Sequence, residues 1–236
     1  MKTITLPVAT RPHYLRQMLD TLKENNLEGY KLYVNAEPNQ AVIDVIRSVD
    51  FIPTTVIVNR DRLGVRQNPY NCIQRAFDDG STFNVHLEDD IILSPDTLQL
   101  ASWYYKEYKD KPLTHLNYGM FNYKSNPDEP DKIQVIEGKF IGLGWCTFKE
   151  CWNKWYKPYW FDDKINAEVW SPQTVGWDWS IAAIAKTDNL TSLQPLTSRT
   201  NHIGRVGGTY CGADFHDKTF PQIIINDEEV DTFEVI

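Results

Sequence analysis

The sequence predicts an α/β fold: a largely parallel sheet with helices on both faces. Three observations carry that expectation. Strand-like and helix-like stretches alternate through the first 110 residues. That βαβα order makes neighbouring strands parallel and sends the helices to the sheet faces. Acidic residues also stand at the ends of two strand-like runs, where open sheets of this kind bind ligands.

The elements follow in order. Thr3-Ile4-Thr5-Leu6-Pro7-Val8 reads as the first strand. Tyr14, Leu15, Met18, Leu19 and Leu22 then recur at helical spacing, with Thr10-Arg11-Pro12 at the entry. Lys31 to Asn35 is the second strand and Ala41 to Val49 a short helix. Thr54 to Asn59 is the third strand. The stretch from Leu63 to Phe77 is helical, and Pro69 is expected in its first turn, where a missing N–H costs least. Phe83 to Leu87 is the fourth strand. Ser94-Pro95 supplies an expected N-cap and first-turn proline for a helix through about Lys109.

After residue 110 the pattern changes. Short strands are expected at Thr114–Tyr118 and Ile133–Ile136, separated by the polar loop from Lys124 to Asp131. A dense aromatic region follows, from Trp145 through Trp179, with helices expected near Lys149–Tyr156 and Trp177–Thr187. No repeat, low-complexity segment or linker divides the chain, so residues 1–110 and 111–236 are expected to form one continuous domain.

Bulk properties narrow the function classes. Hydrophobic residues make up 42% and charged residues 24% of the 236, ordinary for a globular protein. A net charge of −8 argues against a broad basic surface that binds nucleic acid unaided. Arg60, Arg62, Arg66 and Arg75 still offer a local basic patch. The four Cys show neither zinc spacing nor a dense disulfide framework, which predicts reduced thiols. Met1 to Val8 does not read as a signal peptide, and no apolar run reaches the ~18 residues of a membrane span. A cytoplasmic protein without a membrane partner is expected.

Glu88, Asp89 and Asp90 end the fourth strand. Carboxylates this close repel, and burial makes each costlier to ionise, so a compensating positive charge is required. A divalent cation with oxygen ligands, Mg²⁺ or Mn²⁺, supplies it and leaves positions open for phosphate oxygens. The competing explanation is a solvated acidic turn.

Leu87-Glu88-Asp89-Asp90 with Ser94-Pro95-Asp96 resembles the EDD…PD segment of the N-acetylglucosaminyltransferase I family, nucleotide-sugar glycosyltransferases of the GT-A fold. Gly142-Leu143-Gly144-Trp145 resembles that family's GLGW. Trp177-Asp178-Trp179 resembles its WDDW with one acid missing. Ser198-Arg199-Thr200 and Gly204-Arg205-Val206-Gly207 resemble its SRT…GrkG. The likeness runs in order from Thr3 to about His216. It implies a GT-A (Rossmann-like) mixed sheet, with a donor-binding half at residues 1–110 and an acceptor-side, aromatic-rich half at 111–236.

Residue by residue, the resemblance implies Asp90 as direct metal ligand. It implies Glu88 and Asp89 at the donor's sugar or ribose, and Asp178 as the general base for the acceptor hydroxyl. Glu37 falls where the family recognises the base, and Gln67 where it has a base-contacting His. Arg199 and Arg205 lie in the segment that closes over the donor, and Gly204 to Gly212 reads as a loop able to move. His202 and His216 read as hydrogen-bonded histidines or metal ligands, and most of the tryptophans as core.

The function expected is a metal-dependent, inverting transfer from a nucleotide sugar, expected to be a UDP-sugar, with Mn²⁺ or Mg²⁺. The acceptor is left open among a glycan, a protein side chain and a hydroxylated DNA base of the kind a virus makes. Two other classes compete. A sugar-nucleotide nucleotidyltransferase would want a Gly-rich loop after the first strand, which Thr10-Arg11-Pro12 is not. A non-catalytic carbohydrate-binding protein would bind regardless of metal.

Overall fold

A computed structural model describes residues 1–208 and 211–236. The first half runs β1 (Lys2–Val8), α1 (Pro12–Lys23), β2 (Tyr30–Ala36), α2 (Gln40–Arg47), β3 (Thr54–Val58), α3 (Gly64–Asp78), β4 (Phe83–His86), β5 (Ile91–Leu93) and α4 (Thr97–Tyr108). The second half begins with β6 (His115–Gly119), β7 (Lys132–Glu137) and β8 (Trp145–Phe148). Then come α5 (Lys149–Cys151), a π-helical turn Trp152–Tyr156 and α6 (Lys157–Tyr159). It ends with α7 (Asp163–Val169), α8 (Trp177–Thr187), β9 (Thr191–Pro195), β10 (Thr200–His202), α9 (Ala213–Thr219) and β11 (Glu234–Val235).

Among the described residues nine strands form one mixed sheet in the order β11-β7-β9-β6-β8-β4-β1-β2-β3. Strands β4, β1, β2 and β3 are mutually parallel, while β8 joins β4 antiparallel. The chain winds outward from β1 to β3, then returns to place β4 on the other side of β1. Right-handed crossovers therefore put α1 and α2 on one face and α3 on the other. The packing agrees: α1 lies against α2, and α3 against β1, β2 and β4. The strand order reverses between β1 and β4, and a crevice opens at their carboxyl ends. Ala9–Arg11 leaves one side of it and Glu88–Asp90 the other.

The central strand β4 is buried on both faces. Its polar side chains are therefore matched across the register to β1. The Thr3 hydroxyl donates to Asn84 Oδ1 at 3.0 Å, Asn84 Nδ2 donates to Thr5 Oγ1 at 2.9 Å, and Thr5 Oγ1 meets His86 Nδ1 at 3.0 Å. Beside this ladder lies a largely aromatic core. Trp145, Trp152 and Trp160 are fully buried, and Trp177 stacks on Trp160 at 4.2 Å and 5°. All four cysteines are free.

Two expectations need correction. Pro69 sits inside α3, not in its first turn. The helix starts at Gly64 because Glu37, distant in sequence, accepts the backbone N–H groups of Leu63 and Gly64. The helix after the acidic triplet starts at Thr97, not at Ser94-Pro95. Asp96 stands at its N-cap without capping, since its carboxylate is engaged by Arg199 and by the Ser94 hydroxyl.

Candidate active site

The residues after Leu87 do not end in an open loop. β5 pairs antiparallel with β10, setting Ile91 opposite His202, and Ile203 N–H donates to the Asp90 carbonyl at 2.8 Å. This small two-stranded sheet carries His202 to the acidic triplet. His202 Nε2 lies 3.1 Å from Asp90 Oδ2, and the His216 ring backs it, with Nε2 3.1 Å from the His202 carbonyl. A Cβ on Gly204 would collide with the Asp90 carboxylate, so the chain can pass this close only as glycine.

The positive charge that the triplet requires is present in the protein itself. Arg11, at the mouth of α1, sets Nη2 2.6 Å from Asp89 Oδ1 and Nη1 2.6 Å from Asp90 Oδ2. Ala9 N–H also donates to Asp89 Oδ2 at 3.1 Å. Asp89 and Asp90 are buried, whereas Glu88 is partly exposed. Burial drives the Glu88 carboxyl well above its ordinary value, with Asp90 and Asp178 adding to the rise. Burial also raises Asp89, against the pull of Arg11. Burial works the same way on Asp90, but His202 and Arg11 outweigh it and leave that carboxyl below the usual range. Asp90 is thus the member of the triplet held most firmly as an anion, and its Oδ1 makes no hydrogen bond among the described residues.

A cavity of about 470 Å³ opens over these groups. Glu88, Asp89, Asp90, Arg11 and His202 line it, and so does Asp178. Asp178 occupies the first turn of α8 after Gly176, whose φ of +138° is open to glycine and strained for other residues. A Cβ on Gly176 would stand 2.7 Å from Asp178 Oδ1. Trp177 anchors the turn in the aromatic core, and Trp179 projects outward, 46% exposed. Asp178 is open to solvent on the cavity side, and desolvation by the protein packed behind it raises its carboxyl, against the N–H groups of the helix start. A carboxylate made more basic than usual is suited to accept a proton from a hydroxyl.

No protein-family model matches the sequence, and no curated protein sequence does. Solved structures do match. A mannosyltransferase, PcManGT from Pyrobaculum calidifontis in complex with GDP-Man and Mn²⁺, superposes over 82% of this chain with a TM-score of 0.53 and 14% identity. S. aureus TarS 1-349 in complex with UDP-GlcNAc superposes over 88% with a TM-score of 0.60 and 12% identity. The fold is that of the GT-A glycosyltransferases. The chain spans 54% of the length of the first of these and 60% of the second.

Within that GT-A frame the sequence-derived residues fall into two groups. Glu88, Asp89, Asp90, Asp178 and Glu37 all line the cavity. Glu37 is buried and both its oxygens are engaged, by Leu63 and Gly64 N–H and by Asn59 Nδ2 at 3.2 Å. Its observed work is to hold the start of α3 against the cavity. Gln67, Arg199 and Arg205 are not cavity-lining. From α3 the wall takes Gly64, Val65, Asn68 and Pro69. Gln67 lies off that stripe and bonds Asn71. Arg199 is fully buried, with Nε donating to both Asp96 carboxylate oxygens at 3.0 Å and Nη1 donating to the Thr197 carbonyl. Its guanidinium braces the core and does not reach the cavity. Arg205 is exposed and paired with Asp217 at 2.8 Å. Gly207 and Gly208, its neighbours, do line the cavity; Thr209 and Tyr210 of the same loop lie outside the described residues. Arg11 was missed, because a lone arginine before a proline carries no motif and its meaning comes from the β1–β4 switch point. His202 was visible only as one of two histidines, since its pairing with Asp90 depends on β10.

Among the described residues no group of three or more His, Cys, Asp or Glu side chains is arranged to enclose a metal ion. A divalent ion that keeps water and takes phosphate oxygens needs only one or two protein ligands. The open Oδ1 of an ionised Asp90, with the His202 imidazole beside it, fits that partial set.

Proposed function

We propose that the chain is a metal-dependent glycosyltransferase that transfers a sugar from a nucleotide-sugar donor to an acceptor hydroxyl with inversion. The observation that carries this is the meeting of two chemistries in one cavity. An Arg11-bridged acid pair lies at the β1–β4 switch point, and a separate carboxylate, Asp178, lies at the start of α8 in the same cavity. The neighbours solved with GDP-Man and Mn²⁺ and with UDP-GlcNAc support a nucleotide-sugar donor and a divalent ion. A UDP-sugar, and kinship with the N-acetylglucosaminyltransferase I family, rest on the sequence motifs.

Asp90 and His202 would hold the ion, which when bound neutralises charge on the leaving diphosphate. Asp89 holds Arg11 in place, and Arg11 adds a fixed positive charge at the same spot. Glu88 faces the sugar end of the donor. Asp178 takes the proton from the acceptor hydroxyl as its oxygen attacks the anomeric carbon. One base on the acceptor side, separate from the acid pair, suits a single displacement. Mn²⁺-dependent sugar release from a panel of nucleotide sugars tests the proposal. Release or transfer that is lost in Asp178→Asn while donor binding persists supports it. Activity that is indifferent to that substitution refutes it.

A further inference from the structure

Outside the acid pair and Asp178, the cavity carries a set of aromatic rings that the transfer chemistry does not use. Trp179, Tyr123 and Phe215 line it while remaining 46%, 47% and 54% exposed. They come from three places in the chain: the first turn of α8, the segment after β6, and α9. Two of them share a buried hub. Phe220 packs on the His202 ring at 4.6 Å, with Phe215 at 6.0 Å and Tyr123 at 6.4 Å from it. Trp179 directly follows Asp178 and is braced edge-on by Trp170 at 5.6 Å and 70°. Large rings left half in water around a catalytic pocket mark a binding surface.

We infer that Trp179, Tyr123 and Phe215 form the acceptor subsite, and that it takes the apolar ring face of a neutral pyranose. The inference rests on the glycosyl-transfer reading and names the acceptor class that this reading leaves open. A sugar ring presents C–H faces to aromatic planes while its hydroxyls stay free, so one hydroxyl can reach the neighbouring Asp178. The charge around the pocket favours a neutral ligand. Among the described residues five acidic side chains line it (Glu37, Glu88, Asp89, Asp90, Asp178), and even with Glu88 protonated they outnumber the two guanidiniums, Arg11 and Arg62. A divalent ion and a donor diphosphate cancel, so the balance stays negative and repels a polyanion. Of the arginines near α3, Arg66 is engaged by Asp163 at 2.8 Å and is not free to follow a phosphate backbone.

The test is direct binding of the 236-residue chain to an array of neutral oligosaccharides, phosphorylated oligosaccharides and hydroxymethylcytosine-containing DNA. Retention on one or more neutral glycans is expected. Phe215→Ala, Tyr123→Ala and Trp179→Ala should each weaken it about 5- to 10-fold, and Trp179→Phe should restore most of the loss. The rings are half-exposed, so melting temperatures close to the parent's are expected, which separates lost binding from lost fold. Retention on DNA instead of glycans would overturn the inference, as would glycan binding that ignores all three substitutions. A nucleotide sugar that fails to shift the parent's melting temperature would refute the transfer reading itself, whatever the array shows.

Discussion

Arg11 ties the fold to the proposed chemistry through one side chain. Without it, among the described residues, Asp89 would keep only the Ala9 N–H and Asp90 only His202, with no fixed charge between them. Arg11→Ala should therefore destabilise the protein by about 3 kcal/mol, the usual scale for removing one partner of a buried ion pair. Added Mn²⁺ should recover part of that loss, because the ion supplies charge at the same carboxylates; denaturant melts with and without Mn²⁺ measure both. Asp178 gives a second residue-level expectation. Asp178→Asn should lower kcat by 10²- to 10⁴-fold, the range of a general base, and leave the donor Kd nearly unchanged. To serve as the proposed base, its raised carboxyl must be deprotonated. Activity should thus rise with pH along a limb set above the ordinary aspartate value near 4, and pH–rate profiles of kcat/KM should show that limb disappear in the Asn variant.

At the scale of elements, the site depends on two local devices. Gly176 lets the chain enter α8 at a φ of +138° and clears the Asp178 carboxylate. Gly176→Ala should cost about 1–3 kcal/mol in strain and lower kcat by displacing Asp178, read from melting curves alongside kinetics. The β5–β10 pair brings His202 to Asp90, and the Arg199–Asp96 pair ties the same region to α4. Arg199→Met should destabilise by about 3–5 kcal/mol yet leave the donor Kd within about twofold, which binding titration of the folded fraction checks. The β1–α3 succession, α8 and the acid triplet were legible in the sequence because each is a local pattern. The pairing of Ile91–Leu93 with Thr200–His202 was not. Three-residue strands carry no readable period, and their partners are about a hundred residues apart. The same distance hid the meaning of Arg199, whose motif position suggested the donor but whose guanidinium is buried against Asp96. Glu37 was legible as a cavity residue, and its engagement by Leu63 and Gly64 was not.

For the whole molecule, the return of the chain from β3 to β4 creates the crevice that everything else uses. That return buries His86 at the centre of the sheet, with Nδ1 on Thr5 and Nε2 without a partner among the described residues. Burial pushes the His86 imidazole down to about 3. It stays neutral in the fold while the unfolded chain binds a proton below about 6.5. Stability should fall as pH drops from about 6.5 toward 3, and His86→Gln should flatten the slope relative to the parent in acid denaturation. The fold-level claim is that the crevice binds a nucleotide sugar through an ion at Asp90. Calorimetric titration of UDP- and GDP-sugars into the protein, with Mn²⁺ and with EDTA, and into Asp90→Ala, tests it most directly. The account predicts that at least one nucleotide sugar binds with Mn²⁺, and that either EDTA or the substitution weakens it tenfold or more. Equal binding in all three conditions, or none to the parent with Mn²⁺ present, would contradict it.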